Sequence, residues 1–484
     1  MSLNYSTKEY NTVKTSNLPF HERVDVAFKD DFLQDSLKKA QEKFRTGKAN
    51  TYKPLGDPEV WRRRAEEIRR HTIDHLDYYL DMLADNIEKR GGKVFFAKTA
   101  EEASSYVTGL AQKKKVKTVV KSKSMISEEI HLNKELERLG SDVIETDLGE
   151  YIIQLAGETP SHIIVPAIHK NRKQIAELLS KVAGKELPDD PPGLYQFARN
   201  VLREKFMQAD LGISGCNFAV AETGSLLLVT NEGNGRFTTT FPKTHVVMMG
   251  MERIVPRWKD LDTLITLLPR AATGQKITTY LTAITGPRRG DDIDGPEELH
   301  FVIVDNGRLN AVGSKYQEIL HCIRCGACLN ICPVYRHIGG HAYGSVYSGP
   351  IGAVLTPVIS GFDEWSELPY ASSLCGACSD ACPVRIPLHE MLVDLRNDQI
   401  IEKRSPVSER LAFKMFEKVT ITPRYYKTGL KAGKTMLNLF AGREGIEHGP
   451  FKLKEWTKER TFPLPAPKSF RSWWKTEKNN DRQP

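Results

Sequence analysis

Seven of the eight cysteines in this chain fall between Cys322 and Cys382, and only Cys216 stands apart. The first group reads Cys322-x2-Cys325-x2-Cys328-x3-Cys332-Pro333. Three thiolates at two-residue gaps let one short, turning segment wrap three corners of an iron–sulfur cube. The fourth cysteine, followed by proline, leads out of that wrap, and in two-cluster proteins it ligates the other cluster. The small residues Gly326 and Ala327 let backbone N–H groups approach the sulfides. Structural zinc takes paired knuckles separated by a loop, which does not explain a 2-2-3 spacing ending in proline. A disulfide framework belongs to small secreted chains, and this one has 484 residues.

The second group, Cys375-x2-Cys378-x3-Cys382-Pro383, repeats the last three cysteines of the first, down to Cys-Gly-Ala-Cys. Ser372 stands where its first cysteine would be. If the ligands interleave in the two-cluster manner, Cys322, Cys325, Cys328 and Cys382 hold one cluster completely, and Cys332, Cys375 and Cys378 hold the other with three thiolates. The open corner is left to Ser372, water, a partner group or a substrate. Two [4Fe-4S] cubes are expected, with a three-iron second cluster as the alternative.

Such clusters move single electrons. No strand–helix junction carries G-x-G-x-x-G, and there is no P-loop lysine motif. Gly233-Asn234-Gly235 suggests a phosphate cradle, but it reads as a hairpin turn between two strands, Ser225–Val229 and Arg236–Phe241. The chain is therefore expected to pass electrons, with no catalytic residue assigned.

At this length two or three domains are expected. Hydrophobic residues make up 40% and charged residues 27%, and no apolar stretch approaches the roughly 20 residues of a membrane span. Met1 to Tyr10 lacks a signal peptide's apolar region, so a cytoplasmic protein is expected. The net charge of +8 is uneven, with 19 Lys and Arg against nine Asp and Glu in residues 401–484.

Residues 1–57 read as an arm with a short amphipathic stretch near Phe32 to Phe44. Residues 58–310 read as an α/β domain. It opens with one long amphipathic helix from Glu59 to Arg90, carrying Ile68, Leu76, Leu80, Leu83 and Ile87. Strands at Val94–Ala97, Thr118–Val120, Asp142–Glu145 and His162–Ala167 then alternate with helices near Glu101–Lys114, Ser127–Gly140 and Asn171–Ala183, which implies a largely parallel sheet. From Asn217 the texture is strand after strand: Ala219–Ala221, Ser225–Val229, Arg236–Phe241, His245–Met249, Ile277–Thr285 and Leu299–Val304. Residues 311–393 carry the cysteines, with apolar residues at helical spacing, and 394–484 form a basic C-terminal extension with one amphipathic segment, Glu409–Val419.

The order of an α/β domain containing Ala221-Glu222-Thr223-Gly224-Ser225-Leu226, two cysteine motifs and a basic tail ending near Trp473–Trp474 resembles the lactate utilization protein B family over nearly the whole chain. The resemblance is strongest in the cysteine motifs and in Gly212 to Pro256. It implies a LUD-type N-terminal domain, related in fold to sugar-phosphate isomerases and CoA transferases, followed by an α-helical ferredoxin-like iron–sulfur domain. It further implies electron transfer in the oxidation of L-lactate to pyruvate, with a cysteine-rich subunit and a second LUD protein as partners. Two other functions fit the residues: a hydroxy-acid lyase binding substrate at the three-cysteine cluster, and a redox sensor whose LUD domain binds a ligand.

Glu222 reads as a turn residue ahead of a strand, with a ligand-pocket carboxylate the alternative. Cys216 reads as a small buried hydrophobe. His321 is either a cation beside Cys322 or a surface histidine, and His162 and His169 read as ordinary. Charges in the tail are interspersed with Glu, which argues against nucleic acid. Trp456, Trp473 and Trp474 among Lys and Arg suit docking onto a partner or a peripheral membrane contact.

Overall fold

The computed structural model describes residues 14–442, 445–450, 453–458 and 460–477. The N-terminal stretch Met1 to Tyr10 lies outside them. Six strands form one parallel sheet: β1 (Lys93–Ala97), β2 (Thr118–Lys121), β3 (Asp142–Glu145), β4 (Leu211–Ser214), β7 (Thr244–Gly250) and β10 (Glu298–Val304), in the order β1-β10-β7-β4-β2-β3. A second, mixed sheet joins β5 (Phe218–Val220), β6 (Ser225–Thr230), β8 (Ile254–Val255) and β9 (Tyr280–Ile284) in the order β8-β5-β6-β9.

The central strand β7 is buried throughout, as a parallel strand covered on both faces must be. Its side chains divide with period two. Val246 and Met248 pack with Val302 and Val304 against the helices Ala100–Lys114 and Leu132–Arg138. Val247 and Met249, with Phe301 and Ile303, face a larger core that includes the second sheet and five of the motif cysteines. The parallel sheet and the cysteine region thus share one apolar interior. Among the described residues no helix is long and apolar enough to cross a membrane.

The chain divides into two units, Met1–Gln399 and Ile400–Pro484. In the second, the helices Val407–Ile421 and Pro423–Asn438 pack on one another and bury no side chain. Phe470, Trp473 and Trp474 cluster on the helix Phe470–Glu477, with ring centroids 5.6–6.3 Å apart.

Several expected elements differ. The helix read as Glu59–Arg90 is two helices, Pro58–Asp74 and Leu76–Lys89, because His75 leaves the helical region (φ −125°, ψ 38°). The first half packs on the turn Gln317–His321 and the second on β1, so the break lets one apolar pattern serve two surfaces. Arg236–Phe241, expected as a strand, falls on the helix Asn234–Thr240 and its C-cap Phe241, and Thr239 Oγ1 bonds the Gly235 carbonyl at 3.0 Å. Gly233-Asn234-Gly235 is accordingly a helix start and not a hairpin turn. His162–Ala167 is not a strand: the His162 ring accepts the N–H groups of Ile164 and Val165 at Nδ1 (3.0 and 3.2 Å). Residues 20–52, read as part of an arm, fold as the helices Phe20–Phe28 and Asp31–Tyr52.

Gly224 makes the turn between β5 and β6 at φ +69°, and a Cβ there would lie 2.6 Å from the backbone of Asn86 and Ile87. Gly224→Ala is expected to lower the urea midpoint by an amount equivalent to about 1–3 kcal/mol. Gly233→Ala, with open space around it, should shift it by less than about 1 kcal/mol.

Candidate iron–sulfur site and adjoining cavity

The two cysteine motifs fold alike. Arg324 and Leu374, each just before a cysteine, take left-handed backbone (φ 60° and 54°), as do Gly326 and Gly376 just after it (71° and 79°). Each glycine starts a five-residue helix, Ala327–Ile331 or Ala377–Ala381, which ends on the extended Cys332 or Cys382. The glycine carbonyl accepts N–H groups from Leu329 and Asn330 in one motif and from Ser379 and Asp380 in the other. The repeat seen in the sequence is therefore a repeat of backbone, and the two short helices pack together.

Cys322, Cys325, Cys328 and Cys382 line one cavity, together with Gly326 and Ala327. Among the described residues no three His, Cys, Asp or Glu side chains close on a single point as one metal ion requires. Thiols around a shared space suit a polynuclear group whose irons sit at separate corners. Burial, then the neighbouring Cys382 and Cys322, pushes the Cys325 thiol up to about 12. Burial, then Cys332 beside it, pushes Cys378 up to about 11, and Cys332 is itself raised by burial and by Cys375. Crowded, desolvated thiols of this kind ionise only when a cation compensates them, and iron would supply that charge.

Side chains from distant segments hold the motifs. Gln41 donates to the carbonyls of Leu329 (2.7 Å) and Cys332 (3.0 Å), and Arg62 to those of Cys382 (2.9 Å) and Ser379 (3.2 Å). Lys48 donates to Ala381 (2.6 Å), and its charge also faces Cys325. Buried Arg69 bonds the carbonyls of Ile254, Leu320 and His321. None of these was singled out from sequence, because polar side chains on amphipathic helices carry no local signal of what they will meet.

A buried ionic network ties the first motif to the sheet. Arg308 pairs with Glu129 (2.7 and 3.0 Å) and with Glu252 (2.9 Å), and Arg324, between Cys322 and Cys325, reaches Glu252 at 3.2 Å. Burial works against the Glu252 charge, but Arg308, Arg324 and Arg253 outweigh it and hold the carboxyl down to about 2.

Beside this network lies a cavity of about 330 Å³ at the C-terminal edge of the parallel sheet. Its charged lining is Lys123, Asp147, Glu232, Glu252, Arg253 and Arg324. Ile163 and Arg324 line both this cavity and the one enclosed by the thiols. Burial, then Asp147, pushes Glu232 up to about 7.

The remaining sequence candidates divide. Glu222 lies outside this cavity and accepts the N–H of Trp258 at 3.0 Å, capping a helix as a structural turn residue would. Cys216 lines the cavity, its thiol pushed up to about 12 by burial. His321 is neither cation nor surface residue: it is buried, and burial with Arg69 and Arg70 nearby holds it down to about 3. Buried His162 donates to Asn330 of the first motif (3.1 Å). His169 pairs with Glu158 (2.6 Å).

Residues 80–304 match the LUD domain, 318–386 the 4Fe-4S dicluster domain, and 399–479 the C-terminal region of lactate utilisation protein B. Lactate utilization protein B of Oceanobacillus iheyensis is 51% identical over 475 residues, covering 98% of this chain and 99% of that protein. The chain belongs to the lactate utilization protein B family. The Bacillus subtilis protein of the same name is 52% identical over 466 residues, covering 96% of this chain and 97% of its own length. A solved structure of a duf162 family protein from Deinococcus radiodurans, 14% identical, aligns at a TM-score of 0.27 over 47% of this chain and 98% of its own, too distant to add to the argument. As a member of the lactate utilization protein B family, the chain combines a mostly parallel α/β LUD domain with an iron–sulfur dicluster domain.

Glu252→Gln leaves two buried arginines short of a charge and is expected to cost about 3–5 kcal/mol in thermal or urea denaturation. Because the folded carboxyl sits below its free value of about 4.3, its contribution is present above about pH 4. That contribution is lost as pH falls toward 2, a dependence the glutamine variant should lack.

Proposed function

We propose that this protein holds two [4Fe-4S] clusters and relays single electrons between partner subunits during oxidation of L-lactate to pyruvate. Cys322, Cys325, Cys328 and Cys382 would hold the first, and Cys332, Cys375 and Cys378 three corners of the second, in an α-helical ferredoxin-like domain over residues 311–393. The observation that carries this reading is the gathering of the last cysteine of the second motif with the first three of the first motif around one cavity. Interleaving of that kind puts the two ligand sets side by side, as a relay requires. When bound, such clusters supply one-electron transfer at potentials set by charge, hydrogen bonds and exposure.

The chain's own groups supply a bias. Lys48 faces Cys325, Cys382 and Cys328, and Arg62 faces Cys382, so the first set sits in positive surroundings. Cys375 is exposed, which suits electron exchange with a docked partner at the second set. A cysteine-rich subunit and a second LUD protein are the partners this reading takes, in the cytoplasm, with the basic extension 394–484 as the docking segment. Full-length protein purified without oxygen is expected to carry about eight irons and eight acid-labile sulfides per chain. Four or fewer irons would remove the relay.

A second reading, in which the LUD domain binds a small ligand, draws on the cavity beside the first motif. Its lining sets three cations against three carboxylates, and protonation of Glu232 tips that balance toward an anion. Calorimetric titration with L-lactate, pyruvate and inorganic phosphate is expected to show saturable binding of at least one of them. Binding should be tighter at about pH 6 than at about pH 8, on either side of the Glu232 transition. Absence of heat with all three removes this reading and leaves the relay untouched.

A further inference from the structure

The second ligand set lacks a fourth thiolate, and the backbone repeat identifies what stands in its place. In the first motif, Cys322 follows the short turn Gln317–His321, and its Sγ accepts the N–H of Arg324 at 3.4 Å. In the second, Ser372 follows closely on the short turn Leu368–Tyr370, and its Oγ accepts the N–H of Leu374 at 3.1 Å. Both accepted N–H groups belong to the left-handed residue just before the next cysteine.

The main chain is anchored alike. The Cys322 carbonyl accepts from the Arg253 guanidinium at 2.8 Å, and the Ser372 carbonyl from the Arg396 guanidinium at 3.2 Å. Arg253 and Arg396 come from unrelated parts of the chain, so a second, independent fastening has been built at the serine. Both preceding turns pack on the same helix, Gly349–Ser360. Ser372 thus repeats, at the corresponding place, both the local hydrogen bond and the arginine fastening of Cys322.

We propose that Ser372 Oγ is the fourth protein ligand of the second cluster, completing a three-cysteine, one-serine set with Cys332, Cys375 and Cys378. This rests on the two-cluster reading and extends it. The hydroxyl binds iron as the alkoxide: an Fe–O bond forms, the O–H proton passes to solvent, which reaches the half-exposed side chain, and no electron is transferred. The Leu374 N–H remains on the oxygen, as the Arg324 N–H remains on Cys322 Sγ, and hydrogen bonds of this type stabilise an anionic ligand.

The test uses the full-length holoprotein, prepared without oxygen, as wild type, Ser372→Ala and Ser372→Cys. Iron is counted, and the reduced second cluster is examined by EPR and electron–nuclear double resonance in 17O-enriched water. The expected wild type has about eight irons and no 17O coupling at the cluster. Ser372→Ala is expected either to lose one iron or to acquire a coupled water. Ser372→Cys is expected to keep all the irons, without 17O coupling, and to show an altered second-cluster spectrum.

Coupling of wild type to 17O water, seven irons in wild type, or an alanine variant identical to wild type in iron and spectrum would each overturn the assignment. None of those results touches the relay, which in this experiment falls if wild type lacks a second cluster altogether. Unchanged circular dichroism and an unchanged first-cluster signal in Ser372→Ala separate loss of a ligand from loss of the fold.

Discussion

The Glu252 carboxylate, fully buried and shared by Arg308 and Arg324, is the interaction on which the architecture turns. Arg308 passes the tie on to Glu129, at the end of the short helix Met125–Glu129 that follows β2, and Arg324 stands inside the first cysteine motif. Burying such charges costs several kcal/mol per ion, repaid only with close geometry and further hydrogen bonds. Arg308 meets both conditions, with two bonds to Glu129, one to Glu252 and one to the Asp305 carbonyl. The network thereby fixes where the first motif sits relative to the sheet, which apolar packing alone would leave less sharply specified.

The motifs are otherwise poor in regular structure, and a loop that encloses a buried centre leaves carbonyls without partners. The chain answers with long polar side chains from remote helices. Gln41 and Arg62 each bond the carbonyl of the last cysteine of a motif, Cys332 and Cys382. His162, held neutral by burial, adds a side-chain tie, donating to the Asn330 amide oxygen from the loop that precedes the helix Arg172–Ala183. These fastenings come from segments before and between the sheet strands, so the dicluster region is built into the LUD-type unit and is not appended to it.

Cysteine spacing made the iron–sulfur chemistry legible because ligand geometry acts over a few residues and leaves a local pattern. Some parallel strands were legible too: Asp142–Glu145, read between two helices, and Leu299–Val304, read within the strand-rich half, are both strands. The sequence misled where a side chain bonds its own backbone. His162 takes the N–H groups that a strand would offer to a ladder, and in the Thr-rich run Asn234–Thr240 the Thr239 hydroxyl bonds back to the Gly235 carbonyl within a helix. The break at His75, the cavity beneath Arg324 and the role of Arg69 arise from contacts between residues far apart in the chain, and no periodicity encodes them.

Ligand interleaving is the central claim, because it alone makes two clusters into one relay. A stepwise reductive titration of the anaerobic protein, followed by EPR, tests it most directly. The account predicts that one cluster signal grows first and then broadens and splits as the second centre is reduced, the mark of two paramagnets held side by side. Two signals that grow independently, with no interaction at full reduction, would contradict it.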